Sequence, residues 1–362
     1  MDDFGRKAAS RLKKAQIRKV KENGKRGLKC RCRCGRIVTM RFLLCSGAGR
    51  MISMIEETRQ AEELLDGGRP WREKKRQSIA LAEIYGAGLH DERKALRVGG
   101  CAQHLGFAIR EDGSKKLISA DFCRVRLCPM CMWRRSLKIY GQAANICSYL
   151  AKSIKYRYIF CTFTIKNVRG DELSGALDAM FAAWQRLTQR SRIRAAWQGG
   201  MRTLEVTHNL TDDTYHPHFH AFVAVRPGYF KGGAYISQEM YARLWREAAR
   251  LDYEPIVDCR TCKGGNEAAL AEACKYAAKG ADYIIPDDWE LSVQSVRCLD
   301  SALFNRRLCA WWGCMAAARK ALHLDDVEDG DLISEGIVEG NLDDAPMVYY
   351  RWLSAYNQYY SE

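Results

Sequence analysis

The sequence predicts an α+β fold in which helices pack on an antiparallel sheet. Segments rich in aromatic and β-branched residues alternate with segments that carry an apolar residue every three or four positions. Two strands, 201–209 and 218–225, are separated only by the polar turn LTDDTYHP. The elements also run in the order β-α-β-β-α-β-α, which suits an antiparallel sheet with helices on one face.

Residues 141–154 read as a helix, with Ile146, Tyr149, Leu150 and Ile154 at helical spacing. YRYIFCTFTIKN (156–167) reads as a strand. A helix from about Asp171 carries the stripe Leu173, Leu177, Met180, Phe181, Trp184 and Leu187. After the paired strands come a helix over 238–250 and a short strand at 255–260. Asn266 then caps a helix that runs to Lys279 and stops at Gly280. The topology is of ferredoxin-like type. The chain shows no internal repeat.

Its 362 residues carry a net charge of +15, but unevenly. Residues 1–50 hold sixteen Lys/Arg against three Asp/Glu, so the rest of the chain is close to neutral. The first 55 residues are therefore expected to form a basic, disordered extension. Between Ala321 and Met347 there are nine acidic residues and no Lys or Arg, which hides a basic middle containing Arg124, Arg126, Arg134, Arg135 and Lys138. This balance suggests a polyanionic partner. No apolar run reaches about 18 residues, and the basic N-terminus lacks an apolar signal segment, so a cytoplasmic protein is expected. Sixteen cysteines in such a compartment point to metal binding or burial instead of disulfides.

His216, His218 and His220 alternate in YHPHFHAFVAV, so a strand places them on one face and Phe219, Ala221 and Val223 on the other. Glu205, on the paired strand, can add a carboxylate. Two imidazoles and a carboxylate suit a divalent ion that must also bind a phosphate oxygen. Pro217 is expected to disrupt the strand at His216, leaving His216 and His208 in turn or supporting roles.

In NEAALAEACKYAAKG, the residues Glu272, Lys275, Tyr276 and Lys279 fall within an arc of roughly 100°, given about 100° per residue. A tyrosine hydroxyl there can attack phosphorus, with the lysines steadying negative charge and Glu272 activating a water. Taken alone, the pattern is also that of an exposed helix with Glu–Lys pairs. Tyr283, past Gly280, is the rival nucleophile. Upstream, Cys123, Cys128 and Cys131 give C-x4-C-x2-C, with Pro129 in a knuckle-like turn. Cys101 is the natural fourth zinc ligand and His104 its substitute. Cys259 and Cys262 form a CxxC without a partner pair, and Cys30, Cys32 and Cys34 a CxCxC without one.

FCTFTIKN, EVTHN…YHPHFHAFVAV and EACKYAAKGADY, in that order, resemble the three motifs of rolling-circle plasmid replication initiators of the HUH endonuclease superfamily. The resemblance extends to FCRVRLCPMCMWRRSLK and LHLDDVEDGDL, covering about residues 95–335. It implies His218 and His220 as metal ligands with Glu205 third, Mg or Mn as the ion, Tyr276 as the nicking tyrosine, and Glu272 as the glutamate of termination. His208 stands where members often carry tyrosine. The implied activity is nicking of single-stranded origin DNA through a 5′-phosphotyrosyl intermediate, with host helicase and polymerase as further partners. Lys275, Lys279, Arg134 and Arg135 are then expected to contact DNA phosphates. The implied organisation is a zinc module at 95–140, a nicking domain at 141–290, and a helical region with an acidic tail at 291–362.

Overall fold

The computed structural model describes residues 17–22, 25–31, 37–41, 61–65, 67–262, 267–274, 280–336 and 345–362. The chain divides into two compact units, Met1–Gly68 with Met347–Glu362, and Arg69–Pro346. In the first unit, strands β1 (Ile17–Glu22), β2 (Lys25–Arg31) and β3 (Ile37–Arg41) form an antiparallel meander, inside the segment for which the sequence predicts disorder.

The second unit begins with helix α1 (Trp71–Glu83), which widens into a π-turn over Ile84–Gly88. Helix α2 (Glu92–Gly100), capped by the Asp91 side chain, packs against α1. An antiparallel hairpin, β4 (His104–Ile109) and β5 (Lys115–Ala120), follows. Helix α3 then runs unbroken from Pro129 to Ala151, with proline at its first position, where no backbone N–H is required. It thus crosses 140, where the sequence suggests a boundary between the cysteine segment and the next domain.

The remaining elements are β6 (Arg157–Thr164), β7 (Val168–Arg169), α4 (Leu173–Gln189), α5 (Ser191–Ala196), β8 (Trp197–Asn209), β9 (Thr214–Val225), α6 (Gln238–Ala249), β10 (Val257–Thr261), α7 (Glu267–Ala273), α8 (Trp289–Ala302), β11 (Cys309–Trp312) and α9 (Gly313–Ala321). The main sheet has the order β10-β6-β9-β8-β11 and is antiparallel throughout. Without β11 this is the expected ferredoxin-like arrangement.

Helices cover both faces, not one as expected. Phe163, Trp184, Trp197, Phe219, Tyr241 and Trp245 form a continuous aromatic layer with α4 and α6. On the other face Ile139, Ala143 and Ile146 of α3 pack with Phe160, Met201 and Phe222, together with Leu270 and Ala273 of α7 and Met315 of α9. The near-continuous apolar run FHAFVAV is the reason: a strand buried on both faces loses the polar alternation of a half-exposed one. β9 starts at Thr214 and contains Pro217, opposite Val206. The proline falls between the β6 partner of His218 and the β7 partner of Tyr215, where β9 is bordered on one side only and its missing N–H is tolerated.

The acidic segment after α9 lies along α3 and takes up most of its cations. Arg134 is fully buried, donating to the carbonyls of Leu332 and Ile333 at 2.9 and 2.6 Å and pairing with Glu335 at 2.8 Å. Lys138, also buried, bonds to Asp325 and the Asp331 carbonyl, and Arg126 pairs with Glu328. Arg134 therefore cannot contact DNA as expected, because its donors are committed inside the fold.

The C-terminal residues of the first unit form a hairpin of β12 (Met347–Leu353) and β13 (Gln358–Ser361), with Trp352 opposite Tyr359. A bridge joins Glu63 to Tyr360. The sequence predicts only an acidic tail there, and the aromatic residues of VYYRWL and QYY are the signal it offers for strands. Among the described residues, no helix is long and apolar enough to cross a membrane.

Removing one member of a buried ion pair leaves the other charge without compensation. Arg134→Ala is accordingly expected to destabilise the fold by about 3–5 kcal/mol. A urea midpoint indistinguishable from wild type would contradict this placement.

Candidate metal centre

β8 and β9 pair so that Thr203 faces His220, Glu205 faces His218 and Thr207 faces His216. Alternation sends Glu205, His218 and His220 out of one face of the sheet. Glu205 Oε2 lies 2.9 Å from His220 Nε2 and 3.3 Å from His218 Nε2, and the two Nε2 atoms are 3.1 Å apart. All three residues are buried. Neighbouring donors on an octahedral cation with bonds of about 2.1 Å stand about 3.0 Å apart. The trio therefore fits three adjacent positions of such an ion.

The surrounding atoms prepare these donors. His218 Nδ1 lies 3.2 Å from the His216 carbonyl, which can only accept, so Nδ1 carries the proton and Nε2 presents its lone pair. His220 Nδ1 meets the Thr162 hydroxyl of β6 at 3.2 Å. Burial lowers the pKa of His220 and outweighs the opposing pull of Glu205, keeping this imidazole neutral. Burial alone would raise Glu205, but the facing imidazoles of His218 and His220 hold its carboxyl well below the usual range.

Helix α7 packs over β9, anchored by the Thr203 hydroxyl donating to the Ala273 carbonyl at 2.7 Å. Leu270, Ala273 and Cys274 are buried. Glu272 is half-buried, and its charge acts on His220. Lys275, Tyr276 and Lys279 lie outside the described residues, as do Cys32 and Cys34 of the CxCxC. Tyr283, the rival nucleophile, is fully buried and donates to the Leu127 carbonyl at 2.5 Å, so it belongs to the core. His208 is also internal, stacked on Tyr215 and bonded to Asp213 and the Asp282 carbonyl. His216 is in the strand, not the turn, and its carbonyl orients His218.

A second donor group lies at the start of α3. Cys101, Cys123, Cys128 and Cys131 bring their sulfurs within 4.8 Å of one another. Two pairs measure 3.6 and 3.7 Å, close to the roughly 3.8 Å of a zinc ion with tetrahedral bonds of about 2.3 Å. Backbone N–H groups of Cys123 and Arg124 donate to Cys101 and Cys131 Sγ at 3.4 and 3.2 Å. Burial would raise the Cys128 thiol, but hydrogen bonds from the other three cysteines and Ser78 take it well below its ordinary value. His104 is exposed and bonded to Asp121, outside the group. Cys259 lies opposite Cys161 on β10, in neither donor group.

Lys75 of α1 is a residue the sequence did not reveal. It is fully buried, with Nζ bonded to the carbonyls of Gly99 and Cys101 at 2.8 and 2.6 Å. Its charge faces the thiols, where it can offset the negative charge of four thiolates. Nothing in WREKKRQS separates it from its solvated neighbours.

Fold and sites define a class: a ferredoxin-like α+β core around a two-histidine, one-carboxylate centre, joined to a four-cysteine cluster. A family model described as replication protein matches residues 114–360, and the chain belongs to that family. It is similar to Protein rep of Streptococcus pneumoniae serotype 2 (strain D39 / NCTC 7466), at 37% identity over 271 residues, 73% of this chain and 83% of the relative. Protein rep of Bacillus amyloliquefaciens is 38% identical over 293 residues, 73% of this chain and 85% of the relative. The replication protein of Staphylococcus aureus shares 36% over 185 residues, 49% and 78% respectively. No solved structure matches the chain.

Because burial lowers the pKa of His220, Mn²⁺ affinity, measured by calorimetry, is expected to persist on acidification through the ordinary histidine value of about 6.5 and to fall only below it. Affinity already lost above that value would place the ion elsewhere. Lys75→Met should speed loss of zinc to a chelator by about 10–100-fold, the usual effect of losing a group that supports metal ligands. Unchanged release would remove Lys75 from that role.

Proposed function

We propose that this protein initiates plasmid replication by nicking single-stranded DNA at the plus-strand origin, and later rejoins or releases the strand. The observation that carries this reading is the convergence of Glu205, His218 and His220 beside the helix of Glu272, in a chain of the replication-protein family. Tyr276 follows Glu272 by one helical turn in sequence.

Glu205, His218 and His220 would hold Mg²⁺ or Mn²⁺, which would offset charge on the scissile phosphoryl oxygens. The Tyr276 oxygen attacks phosphorus, the bond to the 3′ oxygen breaks, and the 5′ phosphate stays on the tyrosine as an ester. The released 3′-hydroxyl takes a proton and primes the host polymerase, with a host helicase opening the duplex ahead. Lys275 and Lys279 steady the developing charge. In termination Glu272 accepts a proton from the water that cleaves a second junction, so that no second tyrosine is needed. The four cysteines would hold zinc, which would fix the start of α3.

An origin oligonucleotide with Mn²⁺ is expected to yield a covalent adduct that Tyr276→Phe abolishes. An adduct that persists in that variant, or forms equally without metal, overturns the assignment; retention of every activity by Tyr276→Phe would favour a non-catalytic zinc-dependent nucleic-acid-binding protein. Glu272→Ala is expected to nick normally but to fail in releasing finished circles. Normal termination by that variant would reject the role of Glu272.

A further inference from the structure

His208 belongs to neither donor group, yet its bonds bear on the segment that carries Tyr276. It stands on β8 three residues after Glu205, with its side chain fully buried. One face of the ring lies on Tyr215 of β9, the centroids 4.4 Å apart and the planes within 5° of parallel. Nδ1 lies 3.0 Å from the Asp282 carbonyl and 3.3 Å from the Ser295 hydroxyl of α8. The Ser295 proton is directed to the Leu291 carbonyl at 2.7 Å. Among the described residues Nδ1 therefore meets only acceptors, and it donates to the nearer one, Asp282. Nε2 faces Asp213 Oδ1, in the β8–β9 turn, at 2.8 Å.

Asp282 closes a tight turn, Gly280–Asp282, in the stretch that follows α7. Eight residues, Tyr276 among them, separate Ala273 from Asp282. Both ends of that stretch are held by one strand. Thr203 of β8 donates to the Ala273 carbonyl at 2.7 Å, and His208 of β8 donates to the Asp282 carbonyl. Glu205 lies between these two anchors on the same strand. The metal carboxylate and the two ends of the Tyr276 segment are thus referred to a single element. That matters because a displacement of about 1 Å at a reacting group can cost roughly 100-fold in rate. The next residue, Tyr283, is tied separately, its hydroxyl donating to the Leu127 carbonyl, so the turn keeps a second hold when His208 is changed.

We propose that His208 is a positioning residue for nicking: by holding the Asp282 carbonyl, it fixes the far end of the Tyr276 segment against the strand that carries Glu205. The proposal rests on the reading of Tyr276 as the nucleophile.

Two amide side chains separate the bonds of His208. The NH2 of asparagine falls near the position of Nδ1 and can still donate to Asp282, whereas that of glutamine falls near Nε2 and reaches only Asp213. The test compares full-length wild type, His208→Asn, His208→Gln and His208→Phe in Mn²⁺, the last keeping a ring against Tyr215. Single-turnover formation of the covalent adduct on an origin oligonucleotide is expected to slow by about 10–100-fold in His208→Gln and His208→Phe. Oligonucleotide affinity should not change, and His208→Asn should stay close to the wild-type rate. Backbone hydrogen exchange over residues 274–284 should quicken in the same two variants and not in His208→Asn. A wild-type rate in His208→Gln, or a loss in His208→Asn as large as in His208→Gln, overturns the role. So does a loss that follows oligonucleotide affinity or melting temperature, the result a merely structural histidine gives. Should His208→Gln not fold, His208→Asn against His208→Phe makes the same comparison. If the wild type forms no adduct, nicking is rejected, and the exchange measurement alone decides whether His208 holds the segment.

Discussion

The candidate metal centre depends on one register, Glu205 opposite His218 across β8 and β9. Side-chain direction alternates along a strand, so a slip of one residue would send the carboxylate to the aromatic face and leave the imidazoles without it. Burial on both sides fixes the register: Phe219 must reach the aromatic layer while Phe222 reaches the core under α3. Gly200 helps at the far end of the pair. A Cβ there would stand 2.5 Å from the Phe222 carbonyl and 2.6 Å from the Trp312 ring, so the strands close only around a residue without one.

The same economy governs the charges on α3. A helix carrying Arg134, Arg135 and Lys138 beside Arg124 and Arg126 looks like a surface for a polyanion, and the chain answers it with its own acids. Glu328, Glu335 and Asp325 are the paired partners. A buried cation without an acceptor is strongly disfavoured, so the segment that supplies those acceptors is part of the fold and not a solvating tail. Among the described residues, Arg135 has no acid partner. The cysteine cluster sits at the same end of α3, where Cys128 precedes the first turn and Cys131 lies within it.

Much of the core architecture was legible because its signals are local. Period-two and period-3.6 patterns located β6, α4, β8, β9, α6 and β10, and the alternation of His218 and His220 identified the face they share. Cysteine spacing likewise found three of the four clustered thiols and nominated Cys101. Three features were less legible. Pro217 suggested a broken strand, yet its tolerance depends on where β6 and β7 end alongside β9. The aromatic C-terminal residues were absorbed into a description of acidity. Lys75 was one lysine in a charged helix until α1 packed against the cysteine loop.

The sequence by itself determined which residues can serve as donors and on which face of a strand or helix they fall, because those depend on chain periodicity. It also determined the family, through motifs whose order survives in the chain. Only the tertiary structure decided which of the chain's charges remain available. Arg134 and Arg135 are adjacent in sequence and equal in chemistry, but one is enclosed by residues about two hundred positions away and the other has two buried donors without a partner among the described residues. Pairing and burial are long-range properties, fixed by what folds against a side chain and invisible in the residue itself.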